Sequence, residues 1–108
     1  MTIFCRLGSR PGTTGLCWSY WEGERLPLPD CGEIDLFADT QEDMDGIIWW
    51  VATEGRTGIK LAEGESRADL IVECVDMLAR GGGQDGLKKA IALAVARFGQ
   101  SPIYDEAC

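Results

Sequence analysis

The chain has no histidine among its 108 residues, and that absence removes a good deal of chemistry. Histidine is the commonest general base near neutral pH and the commonest metal ligand, so the usual Ser-His and Cys-His nucleophile pairs are excluded with it. Five cysteines, at positions 5, 17, 31, 74 and 108, contain no C-x-x-C pair and are odd in number. Their spacing supports neither a zinc site nor a disulfide framework. No stretch approaches the roughly 20 apolar residues that span a bilayer, and the opening MTIFCRLGSRPG lacks the apolar core of a secretion signal. Together these absences read as a soluble protein in a reducing, cytoplasmic setting, with mostly free thiols and no membrane contact. The loop from Gly8 to Gly15 offers glycines and Arg10 but lacks the Lys-Ser/Thr ending of a phosphate-binding P-loop. It reads as a plain hairpin connection.

Basic residues are missing from one particular segment. Between Leu26 and Gly55 stand eight acids, Asp30, Glu33, Asp35, Asp39, Glu42, Asp43, Asp45 and Glu54, with no lysine or arginine. The other ten acids are matched by all ten bases, so the whole net charge of −8 belongs to those thirty residues. Such a field repels nucleic acid and attracts basic surfaces. Asp43-Met44-Asp45-Gly46-Ile47-Ile48 matches the middle of a calcium-binding EF-hand loop, but Gln41 and Ala52 stand where its first and last carboxylates are required. It reads as an acidic turn before a strand, and no metal or cofactor is expected.

The large apolar side chains gather in GIIWWVATEGRTGIKLAEG, from Gly46 to Gly64. Ile47, Trp49, Val51 and Thr53 fall on one face of a strand, and Ile48, Trp50 and Ala52 on the other. Glu54 to Gly58 reverses the chain, and Ile59 to Ala62 returns it as a hairpin. A strand apolar on both sides needs two covering layers, and the two helices that follow suffice for one. Either loops cover the second face, or a tryptophan stays accessible.

Around this hairpin, Thr2–Leu7 and Leu16–Trp21 alternate as strands, and symmetric pairing about Pro11 would set Cys5 across from Cys17. Glu22-Gly23-Glu24 reads as a tight turn, and the prolines at 27 and 29 confine Arg25–Pro29 to an edge or the surface. Glu33–Phe37 reads as a short edge strand and the polar Ala38–Asp45 as a loop or single helical turn. Ser66, with Asp69 three residues on, caps a helix whose apolar face holds Ala68, Ile71, Cys74, Val75 and Leu78. Gly81–Gly83 end it. Asp85 then caps an alanine-rich helix through Leu87, Ile91 and Phe98, thin enough to be buried, with Lys88 and Lys89 placed to answer the acids of residues 30–45. The fold class expected is α+β: one domain, residues 1–108, with an antiparallel sheet of four to five strands and a C-terminal two-helix hairpin packed on one face.

No catalytic constellation survives, so the inventory argues against an enzyme and for recognition by surface. Four tryptophans are many for this length, and they alternate faces, so they cannot all enter one core. The partner-binding residues expected are Asp35, Asp39, Glu42, Asp43 and Asp45 with Trp21, Trp49 and Trp50: indole anchors inside an acidic field. The reading is a small acidic module that occludes a basic surface of a partner protein, such as a nucleic-acid-binding groove, without touching nucleic acid itself. In size and charge alone it resembles inhibitors that mimic nucleic acid and immunity proteins that neutralise a toxin. The alternative is a homodimer or small-molecule-binding module that uses an exposed aromatic sheet face.

Overall fold

The computed structural model describes residues 2–9, 16–26 and 34–106. Five antiparallel strands form one sheet in sequence order: β1 (Thr2–Ser9), β2 (Leu16–Arg25), β3 (Leu36–Glu42), β4 (Ile48–Glu54) and β5 (Lys60–Gly64). They are followed by α1 (Arg67–Arg80), α2 (Gly83–Phe98) and a short α3 (Pro102–Glu106). This is the α+β fold expected, with α1 and α2 as a helical hairpin. The phosphate-loop reading on residues 10–15, and Pro27–Glu33 with Asp30, Cys31 and Glu33, lie outside the described residues.

On one face of the sheet, Leu36, Ala38 and Ala52 are buried against Leu70, Cys74 and Leu78 of α1, with Trp50 and Ala62 packed at the margin. Ser66 starts α1 as expected: its hydroxyl accepts from the Asp69 amide at 3.1 Å. The buried stripe of α1 is rotated from the expected one, because Leu70 takes the central position and leaves Val75 exposed. Asp85 is not the cap of α2. Gly82, in the left-handed conformation, precedes the helix and puts Asp85 in its first turn. No residue of α2 is buried, since this helix leans on α1 through Leu87 and Ile91 rather than entering the core.

The second face of β4 is covered by the amino-terminal hairpin. Phe37, Val51 and Thr53 are buried here: the Phe4 ring of β1 stacks on Phe37, centroids 5.1 Å apart and planes 2° from parallel, and Ile103 and Tyr104 of α3 border both rings. The Leu7 amide donates to the Gly58 carbonyl at 2.9 Å, tying β1 to the β4–β5 turn. Two glycines permit this fold-over. A Cβ on Gly23 would stand 2.5 Å from the Ala38 carbonyl oxygen and 2.8 Å from a Phe4 ring carbon. Gly58, at φ +68°, would meet the Leu7 nitrogen and the Trp18 ring at 2.6 Å.

Glu22-Gly23-Glu24 is therefore not a turn but the bend inside a ten-residue β2. Gly8, not Cys5, pairs with Cys17, and Cys5 lies across from Tyr20, so the expected Cys5–Cys17 juxtaposition does not form; both thiols are free. The Ala38–Glu42 run belongs to β3, which sits centrally between β2 and β4 rather than at an edge.

Gly23→Ala should destabilise the fold by about 1–3 kcal/mol in urea denaturation, through overpacking against backbone that cannot retreat. Gly8→Ala, where no atom lies within 4 Å of the added methyl, should leave the midpoint within the usual surface range of about 0.5 kcal/mol.

Candidate partner-binding surface

The eight residues singled out in the sequence separate into three places. Glu42, Asp43, Asp45 and Trp49 lie at the β3–β4 hairpin tip, Trp21, Asp39 and Trp50 line a groove, and Asp35 lies at the far end of β3.

At the tip, Gly46 takes φ +81° and lets the chain reverse, while the Asp43 amide donates to the Ile47 carbonyl at 2.9 Å. Asp43 organises the turn. One carboxylate oxygen accepts from the Asp45 and Ile47 amides and the other from the Trp49 indole N–H, each at 2.9 Å. The indole bond first, and the amides after it, hold the Asp43 carboxyl below the ordinary carboxylate range. This rigid turn lifts Met44 wholly into solvent, at 104% of its reference exposure, with Ile47 and Ile48 about half exposed beside it. Glu42 and Asp45 flank these apolar groups, and neither makes an ion pair among the described residues. Among the same residues, no cluster of three potential metal ligands occurs.

The groove arises from the fold-over. Beyond the bend at Gly23, β2 follows β1 and leaves β3, so the β2–β3 register contains only Glu24 with Ala38 and Arg25 with Phe37. The space between them measures about 460 Å³ and is lined by Trp21, Glu22, Glu24, Ala38, Asp39, Thr40, Trp50 and Arg67. Trp21 is 42% exposed, and the Arg6 guanidinium lies over its ring at 4.3 Å. Arg6 also pairs with Asp39, yet burial outweighs the cation and raises the Asp39 carboxyl above its ordinary value. Arg67 pairs with Glu24 at the groove's edge, and the guanidinium lowers that carboxyl.

Asp35 belongs to a third cluster that the sequence did not announce. It pairs with Arg25 and accepts from the Tyr104 hydroxyl of α3, so the carboxy-terminal segment is latched to the start of β3. Beside it Glu54, 2% exposed, accepts from the Arg56 and Thr57 amides at 2.7–3.2 Å. These two acids, with Ile34, Arg56, Lys88, Ile91 and Tyr104, line a cavity of about 150 Å³. Lys88 thus lines this cluster together with Asp35 of the acidic segment, while Lys89 is exposed. Burial raises the Glu54 carboxyl against its amide donors and Arg56, and burial with the Asp35 bond raises the Tyr104 phenol. The only sequence hint of this site was an acid at the end of an otherwise apolar strand.

No protein-family model, curated protein or solved structure matches the chain. Function follows here from geometry and charge alone.

A carboxyl raised on folding binds its proton more tightly in the native state, so its stabilising effect is complete below the unfolded value and lost as pH rises through the folded one. Glu54 starts from 4.5 and moves up. The stability of Glu54→Gln relative to the parent should therefore increase as pH climbs from about 4.5. Parallel stability curves for the two proteins would show that Glu54 does not titrate in this way. Below about pH 4.5 Glu54→Ala should cost about 2–3 kcal/mol, because the Arg56 and Thr57 amides lose their acceptor, and this cost should shrink as pH climbs.

Proposed function

We propose that this protein is an acidic recognition module that docks on a basic surface of a partner protein through the β3–β4 tip and the adjoining groove. The observation that carries the reading is the tip: exposed Met44, Ile47 and Ile48 on a turn pinned by Asp43, flanked by Glu42 and Asp45, which make no ion pair among the described residues. Apolar groups held rigid lose little entropy on binding, which favours their use as anchors. Acids at the rim add speed and selectivity for a cationic partner more than they add affinity. Asp39 and Asp43 take structural roles in this reading, and Asp35 contributes to the latch with Tyr104 rather than to the contact.

Charge supports a protein rather than a nucleic acid as partner. The net charge is −8 and the unpaired tip charges are negative, so phosphate backbones are repelled. A basic surface that itself binds nucleic acid fits this charge, and the module would then act by occlusion.

The test is capture from the source cell's lysate, with paired variants. A basic protein should be retained, elute with rising salt, and be lost from Glu42→Gln/Asp45→Asn and from Met44→Ser/Ile48→Ser, with circular dichroism unchanged in both. Equal capture by parent and variants would remove the tip from the contact and this function with it.

A further inference from the structure

The groove has a backbone edge along one side. Three hydrogen bonds fix which way the β3 peptide groups point: the Leu36 carbonyl accepts from Leu26 at 2.8 Å on the β2 side, whereas the Asp35 carbonyl accepts from Gly55 at 2.8 Å and the Asp43 amide donates to Ile47 at 2.9 Å on the β4 side. Strand geometry alternates these directions, so residues 36, 38, 40 and 42 present their N–H and C=O groups towards β2. Leu36 and Ala38 meet β2 there. Thr40 and Glu42, both exposed, face the side that β2 vacated and have no strand neighbour on it among the described residues.

We propose that this edge takes up an extended, lysine- or arginine-bearing segment of a partner protein as an added strand, lying in the groove between Trp21 and Trp50. The proposal rests on the basic-partner reading above and specifies how the partner is held. An incoming strand gains backbone bonds to Thr40 and Glu42, and its alternate side chains fall towards the indoles. The acids here select cations: Glu22 in the groove wall and Glu42 at the adjoining tip carry no ion pair among the described residues, and Arg6 over Trp21 shows that a guanidinium is accommodated on that indole. The volume, about 460 Å³, lies within the range of about 300–1,000 Å³ typical of ligand sites.

A second copy is the other natural occupant of a free edge, and charge disfavours it. Pairing two β3 edges antiparallel brings the Glu42 and Asp45 carboxylates of both copies together in a complex of two chains each at −8. Like charges facing across a strand pair are destabilising and guard edges against self-association. The same acids attract a basic strand.

The test uses a ten-residue alternating lysine–valine peptide, and two versions N-methylated at alternate backbone nitrogens, one for each edge of the peptide. Side chains and charge are identical in all three. Titration at low salt, followed by tryptophan fluorescence, should show saturable binding of the parent peptide and at least tenfold weaker binding of one methylated version, because backbone bonds are lost. Amide exchange at Thr40 and Glu42 should slow in the complex. Thr40→Pro should weaken the parent peptide equally without changing the circular dichroism spectrum, since the Thr40 amide points away from β4; if that variant does not fold, the methylated peptides still decide the matter on the unaltered protein.

Equal binding of all three peptides would show docking by charge alone, which overturns strand addition and leaves the proposed function standing. Absence of binding by any of them would overturn it as well. A concentration-dependent dimer in light scattering, abolished by Thr40→Pro, would make the occupant a second copy and overturn the partner segment. Failure of the function itself reads out elsewhere, as lysate capture indifferent to Glu42→Gln/Asp45→Asn.

Discussion

Phe4 stacks on Phe37 because β4 is apolar on both faces and the α1–α2 hairpin covers only one of them. Left open, Phe37, Val51 and Thr53 would expose a patch costing about 25 cal/mol for every Å² kept in water. The chain meets this by bending β2 at Gly23 and laying β1 over the second face. That solution has a cost of its own, since a strand that leaves its neighbour gives up ladder hydrogen bonds. The remainder of β3 is left with a free edge, and the separated strands bound a groove. The groove is thus a by-product of covering the most apolar strand.

The acidic segment is sorted by the same geometry. Asp43 is consumed in the turn and Asp39 beneath Arg6, while Glu54 is enclosed with its charge stabilised by two backbone amides. Arg6 and Arg25 come from outside the thirty residues that lack bases, so cancellation that sequence distance concealed is achieved in space at Asp39 and Asp35. Exposed pairs such as Arg67 with Glu24 contribute little stability, typically under about 1 kcal/mol. Their effect is to remove charge from some places and leave it at others. Among the described residues, Glu22, Glu42 and Asp45 remain around the groove and tip without an ion pair.

The hairpin from Gly46 to Gly64 was legible because period-two alternation and a glycine-rich reversal are local signals. So was the Ser66 cap. The Ala38–Glu42 run was read as a loop because its residues are polar, but a strand whose outer neighbour departs needs no apolar side chains past the bend. Gly23 reads as a turn by composition, and only the close approach of Ala38 reveals it as a bend. The Cys5–Tyr20 register had no local signature, because no side-chain pattern in β1 or β2 forces it. Asp35 and Tyr104 stand 69 residues apart and Glu54 lies between them in sequence, so their meeting had no local signature. Phe98 remains 45% exposed on α2, where periodicity alone suggested burial. Amphipathic spacing tells which residues share a helix face, and not whether anything covers that face.

An uncovered strand edge is ordinarily a hazard, because it templates pairing with any other chain. Proline and lysine are the usual guards, and the described length of β3 has neither. Its protection is negative charge, which differs from a steric block in one respect: it discriminates by the sign of what approaches. Copies of this chain and nucleic acids are repelled, whereas a cationic segment meets an attractive field, two indoles and unsatisfied peptide groups at the same place. A guard that turns away the protein's own kind and admits the opposite charge serves both stability in isolation and selectivity in binding.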